Sequence, residues 1–267
     1  MESGDVVLLQ IVVRMIAAGT VVVIVSLVAE RSGPAIGGVI AGLPVVLGPG
    51  FFFLLRDAEA RFVSEAAVYS LLCLCATQVF LCVQVAIAAR LTPVATVCLA
   101  IAAWAATAGL VRLLPPEPLI AITLFAIVTA AARVVSSWFR GSEARPALPQ
   151  DQAIMIYRAV LAGSLVAATS VAASRVGARW SGLVMAFPVG YLVVSIAVRA
   201  QFGVGGLTQM LHSALLGTTS LAMFCFVLSN AALRLSPAAA FLIASFMSVA
   251  TAVLLLMGRI PARKRPR

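Results

Sequence analysis

Apolar residues run along this chain in nine long stretches with no alternation of apolar and polar positions, and short charged or proline-containing segments separate them. The pattern predicts helices at about 6–29, 34–55, 65–89, 92–113, 117–138, 154–174, 180–199, 206–230 and 236–258. A run of about 18 or more apolar residues crosses a hydrocarbon core about 30 Å thick as a helix. Without the period-two pattern of a barrel, helices are the structure that satisfies the backbone in lipid. The separators include Glu30-Arg31, Arg56 to Arg61, Arg90 before Pro93, and Arg112 to Pro118. Residues 140–151 form the one convincing linker, being long, polar and proline-containing.

The pattern repeats. Arg31, Gly33, Gly38 and Pro44 return as Arg175, Gly177, Gly182 and Pro188, each 144 residues later. At the same offset Arg14 returns as Arg158, Ser26 as Ser170, and Arg90-Leu-Thr-Pro93 as Arg234-Leu-Ser-Pro237. The first four expected spans therefore match the last four, and the fifth has no counterpart. An odd span between two even units starts the second unit on the other side of the bilayer, which predicts an all-α polytopic membrane protein with a 4+1+4 inverted-topology repeat. Its parts are a first four-helix repeat (1–115), a linking helix and polar loop (116–153), a second repeat (154–258) and a basic tail (259–267).

Composition strengthens this picture. The chain is 63% hydrophobic and 10% charged, whereas roughly a quarter of the residues of a soluble domain are charged. The net charge of +10 comes from arginines scattered between apolar runs and from the tail, which reads as topology signal and headgroup contact, not as a nucleic-acid face. Nine spans put Arg31, Arg90, Arg140, Arg145, Arg199 and the five tail cations on one side. Arg56, Arg61, Arg112, Arg175, Arg179 and Arg234 fall on the other. That bias predicts a cytoplasmic C-terminus and an external N-terminus in a bacterial inner membrane. The five cysteines lie inside apolar runs without a CxxC or Cys/His cluster, so they read as packing residues. The first residues lack a basic leader region, so the first run is expected to remain as a helix.

Candidate chemistry centres on the second and seventh spans, each of which is broken. Gly38, Gly42 and Pro44 in one, and Gly182, Ala186 and Pro188 in the other, combine close-packing positions with a proline that leaves carbonyls unpaired. Two readings fit: close helix packing alone, or packing around a substrate site, since paired breaks in inverted repeats mark binding sites. Arg14 and Arg158 occupy matching places inside spans, where they would either meet an anionic substrate or snorkel to the interface. Arg31 and Arg175 would serve as gates or as headgroup anchors. Glu65, which corresponds to Gln209, and His212, the sole histidine, are candidates for a coupling proton or for wet interfacial positions. No carboxylate falls near the middle of an expected span, which argues against a proton relay or cation site. A single histidine, no paired carboxylates within a span and no metal-ligand cluster argue against an enzyme, and neither cofactor nor metal is expected. No GxxxxGK[ST] nucleotide loop is present.

On the glycine-rich segment Gly37-Gly38-Val-Ile-Ala-Gly-Leu-Pro44, each half resembles the small four-helix bacterial membrane proteins of the GlpM-like type, whose function is unknown. The layout also looks like that of drug/metabolite transporters, in which four- or five-helix units are inverted and joined, although Arg14 stands where that superfamily has an acidic residue. Together these readings predict a secondary transporter that moves a small anionic or amphipathic metabolite by alternating access. The alternative is a structural or accessory membrane protein. The expected partners are the lipid bilayer and a small-molecule substrate, with no nucleic acid; a homo-oligomer is left open.

Overall fold

The computed structural model describes residues 33–44, 47–139 and 186–258, with positions 9, 12, 13, 16, 20, 24, 160, 164 and 182. Within them the chain forms seven helices and no strand: α1 (Pro34–Ile40), α2 (Leu47–Asp57), α3 (Ala60–Ile87), α4 (Pro93–Val111), α5 (Pro118–Ser137), α6 (Val189–Ala231) and α7 (Pro237–Met257). Five of these, α3 to α7, are long and apolar enough to cross a membrane. Apart from those isolated positions, the first and sixth expected spans lie outside the described residues. The second appears as two short helices, α1 and α2, with the turn at Pro44 between them.

Proline punctuation sets the starts. Pro34, Pro93, Pro118 and Pro237 each occupy the first turn, where a missing N–H costs nothing. Thr92 and Ser236, equivalent under the 144-residue shift, cap α4 and α7 alike: their hydroxyls accept from Ala95 N at 3.3 Å and Ala239 N at 3.5 Å.

The seventh and eighth expected spans join in α6 without a loop. Gly203 alone departs from helical geometry, with φ 70 and ψ −167, a region open essentially to glycine. A straight helix would hold Tyr191 and Leu221 about 45 Å apart at 1.5 Å per residue, yet both line one cavity. The chain therefore doubles back at Gly203, leaving a 204–231 arm. Shifted by 144 residues, the limits of α3 fall on those of this arm, and the break before Ala60 falls on the reversal. Gly203→Ala is expected to lower stability by about 1–3 kcal/mol, the cost of a side chain in that backbone region. An unchanged melting temperature in detergent would contradict the reversal.

α3 and the 204–231 arm form the centre, and their hydrogen bonds give the direction. Ser64 Oγ donates to Ser229 O at 2.6 Å, near the start of α3 and the end of the arm. Midway, Gln78 Nε2 donates to Leu215 O at 3.1 Å. Rising residue numbers on α3 meet falling numbers on the arm, so these equivalent helices run antiparallel and cross near residues 74–75 and 218–219. α5, which has no equivalent, runs parallel to α3, since Gln78 meets Thr129 and Cys82 Sγ approaches Ala132 O. α4, α5 and α7 lie outside, exposing Leu99, Leu110, Leu119, Ile127, Leu242, Phe246 and Leu254. Arg199 fastens the end of the bundle at Arg90: its guanidinium donates to Leu91 O at 2.8 Å and Thr96 Oγ1 at 3.2 Å. Arg61 and Glu65 mark the opposite end.

Candidate functional site

α1 starts at the Arg90 end, where Pro34 packs over Gly206, and runs inward along the arm. A Cβ at Gly38 would collide with Met210 O and crowd Ser213 and Ala214. One turn on, a Cβ at Gly42 would collide with the backbone of Gly217. Gly182 makes the matching approach from the other end: its Cβ would collide with Ala66 O and crowd Tyr69 and Ser70. Under the 144-residue shift Ala66, Tyr69 and Ser70 become Met210, Ser213 and Ala214. Each broken segment thus packs on the other repeat's central helix, and the two come in from opposite ends of the bundle. Ser70 Oγ donates to Gly182 O at 3.0 Å, and Ser220 Oγ donates to Gly42 O.

Both breaks stop at the level of the α3–arm crossing. Between them lies a cavity of about 30 Å³, lined by Leu43 and Phe187, Leu47 and Tyr191, and Thr77 and Leu221. Each of these is a pair under the 144-residue shift. Ala186 and Pro188 border the same cavity, and Leu43 and Leu47 bracket Pro44 on its other wall. The volume accommodates one or two waters. No charged side chain lines it, and its polar side chains are Thr77 from the first half and Tyr191 from the second. Tyr191 is 3% exposed, and its hydroxyl has no hydrogen-bond partner among the described residues. Trp104 of α4 meets Phe187 edge-on, with ring centroids 4.8 Å apart, and its buried Nε1 is likewise unpartnered among the described residues. A buried hydroxyl without a partner costs about 1–3 kcal/mol. Tyr191→Phe is therefore expected to raise the melting temperature, and a fall would mean that the hydroxyl already has a partner.

Beside the cavity, the Gln78 amide joins three helices. Nε2 lies 2.6 Å from Thr129 Oγ1 on α5 and 2.8 Å from Thr218 Oγ1 on the arm. This node fixes the unduplicated helix at the crossing point.

The remaining candidates are dispersed. Arg14, Arg158, Arg31 and Arg175 lie outside the described residues. Glu65 is half-buried and accepts from Arg61 Nε at 3.2 Å, one turn away on the same helix. His212 is half-buried, with Nδ1 3.0 Å from Thr208 O. In the antiparallel register His212 stands level with residue 81, about 24 Å along α3 from Glu65 at 1.5 Å per residue. The two therefore do not share a site. Among the described residues no group of His, Cys, Asp or Glu is placed to hold a metal.

Sequence reasoning did not single out Tyr191, Trp104 or Thr77. The available signal was asymmetry within the repeat, because Tyr191 stands where the first half has Leu47, and Trp104 where the second has Ser248.

This arrangement defines a class, an all-helical protein with membrane-length apolar helices and a mid-depth cavity between two helix breaks. No protein-family model, curated protein or solved structure matches the chain.

Proposed function

We propose that this chain is a secondary transporter of the bacterial inner membrane, built as a 4+1+4 inverted repeat of nine spans, with its substrate site between the breaks at Pro44 and Pro188. The observation that carries this reading is the meeting of two broken segments, entering from opposite ends, over one mid-depth cavity that holds an unpartnered Tyr191 hydroxyl. Equivalent helices that run antiparallel support the inversion, since repeats related by an axis along the membrane normal would run parallel. The exposed leucines of α4, α5 and α7 suit contact with lipid. The cargo is a small amphipathic metabolite: the lining is mostly apolar and uncharged, with the Tyr191 hydroxyl offering a hydrogen bond to an acceptor on it. At about 30 Å³ the cavity corresponds to a closed state, opened towards either side by rocking one repeat against the other. The positive-inside bias places the Arg90 end in the cytoplasm.

The accessory-protein reading draws on the close packing of Gly38, Gly42 and Gly182, which fills those positions with backbone. Single cysteines at Leu43 and at Phe187, in a chain whose five native cysteines are replaced, separate the two readings. Transport predicts labelling of both by a water-soluble maleimide, with access that changes sides and is blocked by cargo. Inertness from both sides, in protein that folds normally, would favour the accessory role.

A further inference from the structure

A groove of about 370 Å³ opens on the side of the bundle between α5 and α7, with the 204–231 arm as its floor. Its walls include Ala126, Thr129 and Arg133 on α5 and Thr251 on α7, and Thr219 lies on the floor. It follows α5 from Ile122 to Arg133, about 16 Å at 1.5 Å per residue. That is close to half of a hydrocarbon core about 30 Å thick, the depth of one leaflet.

The polarity of the groove is one-ended. Arg133 is its only charged lining residue, and no carboxylate lines it. The Arg133 guanidinium makes no hydrogen bond or ion pair among the described residues, and the residue's carbonyl accepts from Ser136 Oγ at 3.1 Å. The acid nearest to it along α5 is Glu117 at the other end of the helix, about 24 Å away by the same helical rise. At its level α3 presents Cys82, close to Ala132 O. The threonine hydroxyls are engaged: Thr129 by Gln78, Thr219 with Leu216 O and Thr251 with Met247 O. The groove therefore offers an apolar trough with one cation at its Arg90 end that no described carboxylate compensates. α7 finishes at the same end, because it runs antiparallel to the arm, with Phe241 against Phe224 and Ser248 Oγ donating to Ser220 O.

We infer that this groove holds one anionic phospholipid, with an acyl chain along α5 and its phosphate on the Arg133 guanidinium. The match is in charge and in length: a headgroup anion at the guanidinium, and one leaflet's depth of hydrocarbon in the trough. The inference depends on residence in a membrane and not on transport. The groove is separate from the cavity between the breaks, and the Gln78 node stands between them.

Delipidated full-length protein in detergent, titrated with phosphatidylglycerol or phosphatidylcholine of identical chains, tests it by native mass spectrometry. One phosphatidylglycerol should be retained in preference to phosphatidylcholine. Arg133→Gln should reduce that preference about fivefold, as removal of one cation beside an anionic headgroup does. Ala126→Phe, at an exposed position, should fill the trough and remove the retained lipid of either kind, while gel filtration reports an unchanged fold. Equal retention of both lipids by the parent chain, or a preference untouched by Arg133→Gln, would overturn the inference. So would an Ala126→Phe chain that changes from dimer to monomer without change in bound lipid, since the groove would then be a seat for a second copy.

Discussion

Replacing Gly42 by leucine should leave little folded protein. The added side chain would start inside the Gly217 backbone, and Gly217 is itself pressed against Gly38 O and Val39. Neither side can yield by turning a rotamer, so α1 would have to leave the arm. Overpacking a core costs about 1–3 kcal/mol where side chains adjust, and here backbone meets backbone, so the upper figure is a floor. Gly48→Ala supplies the control: its Cβ would meet the Phe241 ring at an ordinary 3.8 Å, and its effect should stay within about 0.5 kcal/mol. Yield of monodisperse protein and melting temperature in detergent read both. A Gly42→Leu chain that melts with the parent would show that α1 does not pack as described.

Gln78→Leu comes next in size, at about 2 kcal/mol. Interhelical hydrogen bonds in membranes are each modest, because the unfolded state also finds partners. This amide, however, touches Thr129, Thr218 and Leu215 O together, and its loss leaves buried hydroxyls with fewer partners. A double-mutant cycle with Thr129→Val isolates the link to α5. The pair should cost clearly less than the sum of the singles; strict additivity would mean that the Gln78–Thr129 bond does not hold α5.

Much of the frame was legible from the 144-residue offset. It carried over to structure as equal limits for α3 and the 204–231 arm, and as matched caps at Thr92 and Ser236. Prolines marked the helix starts because their geometry is local. Depth and partnership were not legible. A small-xxx-small pattern announces a close approach but not its object, and Gly38 and Gly42 press on Met210 and Gly217 instead of facing the cavity. Gln78 and Thr218 carry no signal of their meeting in sequence, because nothing local fixes which turn of a distant helix they meet. The reversal at Gly203 falls in the gap between the spans expected at 180–199 and 206–230, but its confinement to one residue was not legible, since glycine in a strained backbone region looks like any other glycine in sequence. Residues that break the repeat's symmetry, such as Tyr191 opposite Leu47, proved the better pointer to the cavity.

Ser220 gives the two halves unequal mechanics. Its hydroxyl holds Gly42 O, the last carbonyl before the first break's Leu43-Pro44. The equivalent positions in the other half are Ala76 and Ala186, and that half is tied one turn earlier instead, by Ser70 Oγ on Gly182 O. If the breaks alternate, as the transport reading holds, two states related by the pseudo-two-fold axis are not equally occupied at rest. A hydrogen bond worth about 1 kcal/mol skews their populations about fivefold towards the state that keeps it. In Ser220→Ala the ratio of labelling at Leu43 and Phe187 cysteines should move towards even. On the transport reading, a duplicated scaffold would thus acquire a resting direction from the unequal placement of two hydroxyls, Ser70 on Gly182 O and Ser220 on Gly42 O.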